Sequence, residues 1–131
     1  MKQISIASLL LVLIALSFYS CRKEKDTTAT ITVVNAAGEN VAGVTVRVYC
    51  PDATCNRGVK NDDMDRTDVT GNNGKVKFDY TEQYQLGQAG FAVLDIEVRQ
   101  TASSLSADAT GVVKIEEEQQ NEQTIICQTC P

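Results

Sequence analysis

The chain reads as an all-β, two-sheet sandwich of seven short strands. Three observations carry that expectation. Aliphatic and β-branched residues alternate with polar ones in run after run, and the runs recur about every ten residues with Gly, Asn or Asp between them. Beyond the first twenty residues no stretch holds apolar side chains at helical spacing, so the runs have only each other to pack against.

The first run starts at Ile31 and Val33, which alternate with Thr30 and Thr32 until Asn35, Gly38 and Asn40 interrupt it. In the second arm Val44, Val46, Val48 and Cys50 point one way, and Thr45, Arg47 and Tyr49 the other. Two such arms around a Gly/Asn turn predict an antiparallel hairpin over residues 31–49. That hairpin would have an open edge and a bare apolar face for the rest of the chain to cover. Residues 51–65 are irregular and polar, with Pro51, Gly58 and several Asp and Asn. Residues 66–70 form a short strand, and Gly71-Asn72-Asn73-Gly74 is a strong turn signal. In 75–80, Val76, Phe78 and Tyr80 oppose Lys75, Lys77 and Asp79. Residues 81–90 are a Gln/Gly-bearing connection with room for one helical turn. Residues 91–100 are the longest strand, with Ala92, Leu94, Ile96 and Val98 against Asp95, Glu97 and Arg99. After a small-residue loop at 101–108, residues 110–116 turn Val113 and Ile115 inward and Lys114 and Glu116 outward. A charged turn at 117–122 leads to a last strand over 123–128, with Ile125 and Cys127 on one face.

Residues 1–20 stand apart from this domain. Lys2 precedes an apolar run from Leu9 to Leu16, too short to span a bilayer comfortably and flanked like a secretory signal peptide. The sequence Ser17-Phe18-Tyr19-Ser20-Cys21 then resembles the lipobox of bacterial lipoproteins, although Phe18 stands where leucine is usual. The resemblance implies cleavage before Cys21 and diacylglyceride attachment to it. The alternative is an ordinary secretory signal followed by a chance cysteine. Residues 21–27 are a charged tether, about 20 Å long at ~3.3 Å per residue, and residues 28–131 are the sandwich. Arg22, Lys23 and Lys25 can contact lipid headgroups. Lys23-Glu24 also partly resembles the signal that sends some lipoproteins to the cell surface, and Lys25 departs from it. An outer-membrane location follows from the lipoprotein resemblance, with the periplasmic and surface faces both open.

Twelve Lys and Arg against 17 Asp and Glu give a formal net charge of −5, which repels nucleic acid and anionic lipid. The chain has no histidine, the side chain on which general-base chemistry and catalytic zinc sites most depend.

The order of residues points to a family. Ile31-Thr32-Val33 runs through Gly38 to Val41-x-Gly43-Val44-x-Val46-x-Val48, then Thr67-Asp68-x-x-Gly71 and Gly74-Lys75-x-x-Phe78. This is similar to the carboxypeptidase regulatory-like domains, which have a transthyretin-like (prealbumin-like) seven-stranded Greek-key sandwich of Ig-like architecture. The likeness spans residues 28–127. It implies a tight entry into the second strand at Gly43, positive-φ turn positions at Gly71 and Gly74, and an accessory or recognition role, and it says little about activity.

Cys50, Cys55, Cys127 and Cys130 are an even set in an exported chain, which favours disulfides over a four-thiolate zinc site. Cys50 and Cys127 share the inward face of their strands, so the preferred pairing is Cys50–Cys127 with Cys55–Cys130. Cys50–Cys55 with Cys127–Cys130 is the local alternative. Asp62, Asp63, Asp65 and Asp68 form an acidic loop that offers oxygens to calcium but lacks the Asp-x-Asp-x-Asp-Gly spacing, so a solvated loop is the simpler reading. Tyr49, Tyr80, Tyr84 and Phe91 could form an aromatic platform for sugar or peptide, although such residues more often pair strands. Ser103, Ser104 and Ser106 have no histidine partner, and Lys114 is expected on an outer face. Glu116, Glu117 and Glu118 are adjacent and alternate sides of a strand. No catalytic residue and no cofactor emerges. The expectation is a lipid-anchored envelope module that engages a membrane-protein partner without catalysis, with a calcium- or glycan-binding module as the alternative.

Overall fold

The computed structural model describes residues 25–51, 64–83 and 90–131. Among the described residues there are seven strands: β1 (Thr28–Asn35), β2 (Thr45–Tyr49), β3 (Arg66–Val69), β4 (Lys75–Asp79), β5 (Phe91–Arg99), β6 (Ala109–Glu116) and β7 (Gln120–Cys127). A 3₁₀ turn, Thr81–Gln83, follows β4. The strands form two sheets, β4-β1-β7 and β3-β2-β5-β6. All pairings are antiparallel except β1 with β7, where Thr28 to Asn35 run alongside Gln120 to Cys127.

The alternation seen in the sequence becomes the core. Ala29, Ile31 and Val33 of β1, Val46 and Val48 of β2, and Leu94, Ile96 and Val98 of β5 lie in one buried cluster with Val113, Ile115, Ile125 and Cys127. Each fully buried aliphatic contributes about 1.5–3 kcal/mol through removal from water. Tyr80, fully buried, closes one end and donates its hydroxyl to the Met64 carbonyl at 3.3 Å.

The expected hairpin over 31–49 does not form. β1 and β2 belong to opposite sheets, β1 pairing with β4 and β7 and β2 with β3 and β5. The turn itself is present: Asn35 Oδ1 accepts the N–H groups of Ala37 and Glu39, and Val34 makes a single bridge to Asn40. After Val41 N–H bonds to the Val33 carbonyl, the chain leaves the first sheet. Gly43, at φ +76°, redirects it, and its N–H bonds to the Thr70 carbonyl beside β3. Period-two patterning identifies the buried face and is the same whether two strands pair or face one another. Four of the six connections between these strands change sheet, so the sandwich is interleaved rather than built from successive hairpins.

Gly71, expected at positive φ, is not; Gly38, Gly43 and Gly74 are. Gly71 supplies the carbonyl that accepts the Gly74 N–H at 2.9 Å, so it is the first residue of the turn, where a positive φ is not needed. The last strand also starts earlier than expected, at Gln120, because Asn121 caps the preceding turn by donating to the carbonyls of Glu116 and Gln119.

Candidate functional site

The structure separates the residues singled out from the sequence. Cys127 and Cys130 form a disulfide with Cα atoms 5.3 Å apart, so the preferred Cys50–Cys127 and Cys55–Cys130 pairing is corrected. Cys50 is also disulfide-bonded, and Cys55 lies outside the described residues. Register gives the reason. Thr45 pairs with Arg99, and the neighbouring Gln100 donates to the Thr129 carbonyl, so the start of β2 lies at the Cys127 end. Cys50 is five residues further on, roughly 16 Å at the rise of a strand, whereas a disulfide spans about 4.4–6.8 Å between Cα atoms. Sharing the inward face was not enough, because the two cysteines occupy opposite ends of it.

Of the acidic loop, Asp62 and Asp63 lie outside the described residues. Asp65 makes a forked ion pair with Arg47, Nε to Oδ1 at 3.1 Å and Nη2 to Oδ2 at 2.5 Å. Asp68 Oδ1 accepts the Val69 N–H. Among the described residues no group of three or more Asp, Glu, Cys or His is placed to hold a metal ion. Tyr80 is buried, Tyr84 lies outside the described residues, and Tyr49 and Phe91 remain on the outer side of the four-stranded sheet. Lys114 stacks over the Phe91 ring at 4.7 Å and pairs with Glu116 at 2.5 Å. The loop bearing Ser103, Ser104 and Ser106 leaves β5 at the far end of the β5–β6 ladder, so these hydroxyls and Lys114 do not meet.

The feature that sequence reading missed is assembled on that outer side. Register places Arg47 beside Glu97, Tyr49 beside Asp95, and Asp95 beside Val112. A shallow cleft of about 350 Å³ opens there, walled by Tyr49, Asp95, Glu97, Thr110 and Val112 and floored by the backbone at Ile96 and Gly111. One wall is held by a chain of polar contacts. The Arg47 guanidinium, fixed by Asp65, stacks on the Tyr49 ring at 4.4 Å. Tyr49 donates its hydroxyl to Glu97 Oε1 at 3.1 Å, and Glu97 Oε2 accepts from Arg99 Nη2 at 2.9 Å. Arg99 in turn donates to the Ser104 carbonyl. The hydrogen bond to Asp65 raises the Arg47 pKa above its ordinary value. The Arg47–Asp65 pair is exposed and contributes at most about 1 kcal/mol, so its role is to orient the guanidinium.

Partial burial, and next the hydrogen bond to Glu97, raise the Tyr49 pKa above its usual 10. The neutral phenol is thus the form the fold prefers. Its stabilising effect is complete below about pH 10 and is lost as pH rises through the folded-state value. In an absorbance titration of tyrosine ionisation, the step that disappears in Tyr49→Phe is expected above pH 10. It is expected to move back towards 10 in Glu97→Gln, and a step at or below 10 in the unaltered chain would contradict the contact.

Sequence alternation had placed Arg47, Tyr49, Asp95, Glu97 and Arg99 outward, and only register brings them together. Compared with known proteins, the chain matches no family model and no curated sequence.

Proposed function

We propose that the chain is a lipid-anchored module of a bacterial envelope, held at the outer membrane through Cys21, that binds a membrane-protein partner rather than catalysing a reaction. The observation that carries this reading is the succession of an apolar leader, Ser20-Cys21, a charged tether and a sandwich beginning at Thr28. The leader and Cys21 lie outside the described residues, so the sequence alone supports that part. The two sheets, of three and four strands, make the all-β sandwich that the carboxypeptidase regulatory-like resemblance implies. The outer side of the four-stranded sheet supports a binding role further, since Phe91, Val93 and Val112 are 51%, 40% and 54% exposed there. Apolar side chains gathered on a sheet face mark places where another surface packs. The lack of histidine removes the commonest general base at neutral pH.

The test is intact-mass analysis of the mature chain together with detergent solubilisation of membranes and co-purification. The expected result is a Cys21 N-terminus carrying acyl mass, partition into the detergent phase, and a stoichiometric membrane-protein partner. A mature form starting elsewhere, unacylated and in the aqueous fraction, would overturn it.

A further inference from the structure

We infer that the cleft between Tyr49 and Val112 receives a single lysine or arginine side chain from an otherwise apolar segment of the partner. This rests on the binding-module reading and names the chemistry of the contact. Three of the acidic groups on this sheet face already have cations: Asp65 has Arg47, Glu97 has Arg99 and Glu116 has Lys114. Asp95 is half-buried in the cleft wall, and among the described residues its carboxylate has no hydrogen bond or ion pair, although its backbone is paired in both ladders. A carboxylate partly removed from water and left without a counter-charge is stabilised by an incoming cation.

The surroundings decide what kind of cation. One uncommitted carboxylate is too few for a bare calcium ion, which takes six to eight oxygens. A nucleic acid or an anionic lipid surface would be repelled by a chain of net charge −5. Next to Asp95 lie the apolar side chains of Val93 and Phe91 along β5 and Val112 across on β6, with Lys114, already paired with Glu116, over the Phe91 ring. A lysine or arginine fits that combination, because its methylene stem lies on apolar surface while its head reaches the charge. A cleft of about 350 Å³ is at the small end of the range for ligand sites and suits one side chain. The apolar neighbours of that side chain on the partner would then cover Phe91 and Val93. The excess negative charge of the whole chain would steer such a partner towards the face.

The experiment uses the full chain in detergent micelles, ¹⁵N-labelled, titrated with acetylated and amidated Val-Arg-Val, with Val-Gln-Val as the uncharged control. The arginine peptide is expected to move the amide signals of residues 95–97 and 110–112 and to bind at least tenfold more tightly than the glutamine peptide. Asp95→Asn is expected to remove that preference with an unchanged melting temperature. Val112→Lys, which puts a cation into the cleft wall, is expected to abolish binding. Equal binding of the two peptides, a preference that survives Asp95→Asn, or shifts confined to another face would overturn the inference. So would a neutral oligosaccharide that moves these signals when the arginine peptide does not. Co-purification separates the two readings. A partner captured equally by the unaltered chain and by Asp95→Asn would sink the cleft and leave the module. Peptide binding at 95–97 in a chain that captures no membrane protein would sink the module and leave the cleft.

Discussion

Gly74→Ala is expected to lower stability by about 3 kcal/mol, with a fall in melting temperature of roughly 12–24 °C for a domain of this size. Two costs combine. Gly74 sits at φ +68°, where an L side chain pays roughly 1–2 kcal/mol. A Cβ there would also lie 2.8 Å from Asn40 Cβ, 2.9 Å from the Val41 nitrogen and 3.0 Å from the Val33 carbonyl oxygen. Two of those three atoms are backbone, so no rotamer change relieves the overlap, and overpacking of this kind costs about 1–3 kcal/mol. The Gly74 carbonyl accepts the Val33 N–H at 2.9 Å, so the turn before β4 cannot retreat without losing that bond. Gly38 supplies the control. It has φ +83° and nothing within 4 Å of its would-be Cβ, so Gly38→Ala is expected to cost only the backbone term, about 1 kcal/mol. Thermal or urea denaturation of the two variants of the full chain checks this, and equal losses would refute the crowding argument.

Thr70→Val is expected to cost about 2–4 kcal/mol although it barely changes side-chain volume. The Thr70 hydroxyl is buried, donates to the Val41 carbonyl at 2.8 Å and accepts the Val44 N–H at 3.1 Å. It bridges the two ends of the segment that carries the chain from the first sheet to the second. Valine leaves both backbone groups without this partner in a dry environment, at about 1–3 kcal/mol for each unsatisfied group. Thr70→Ser keeps the hydroxyl and removes only a methyl, so its loss is expected at about 1 kcal/mol or less. A serine variant as unstable as the valine one would show that packing, and not the two hydrogen bonds, matters at this position.

Both positions explain what the sequence could and could not show. The inward residues of every strand but β3 were legible, because alternation reports which side of a pleat is dry. Val113 and Ile115 against Lys114 and Glu116 are an example. Strand partnership was not legible at 31–49. The decision is made by Gly43, Gly74 and the Thr70 hydroxyl, which meet across 26 to 29 residues of chain in the case of Thr70. The disulfide pairing failed for the same cause, since it needed the position of Cys50 along β2 relative to β7 as well as its face. The cleft required one more piece of information, the pairing of Tyr49 with Asp95 and of Asp95 with Val112. Its members are spread over residues 49–112 and form no motif. Asp95 reads in sequence as an ordinary solvent-side residue, and its want of a counter-charge becomes visible only when the cations around it have been assigned to others.

The position of β1 has a mechanical consequence. The segment preceding Thr28 enters directly into the middle strand of its sheet, flanked by eight register pairs with β7 and five with β4. A pull arriving from that side acts along the length of β1, so both ladders resist by sliding in shear and must give way together. A terminal strand at the border would instead peel away rung by rung under the same load. The domain is thereby coupled stiffly to whatever holds its N-terminal end.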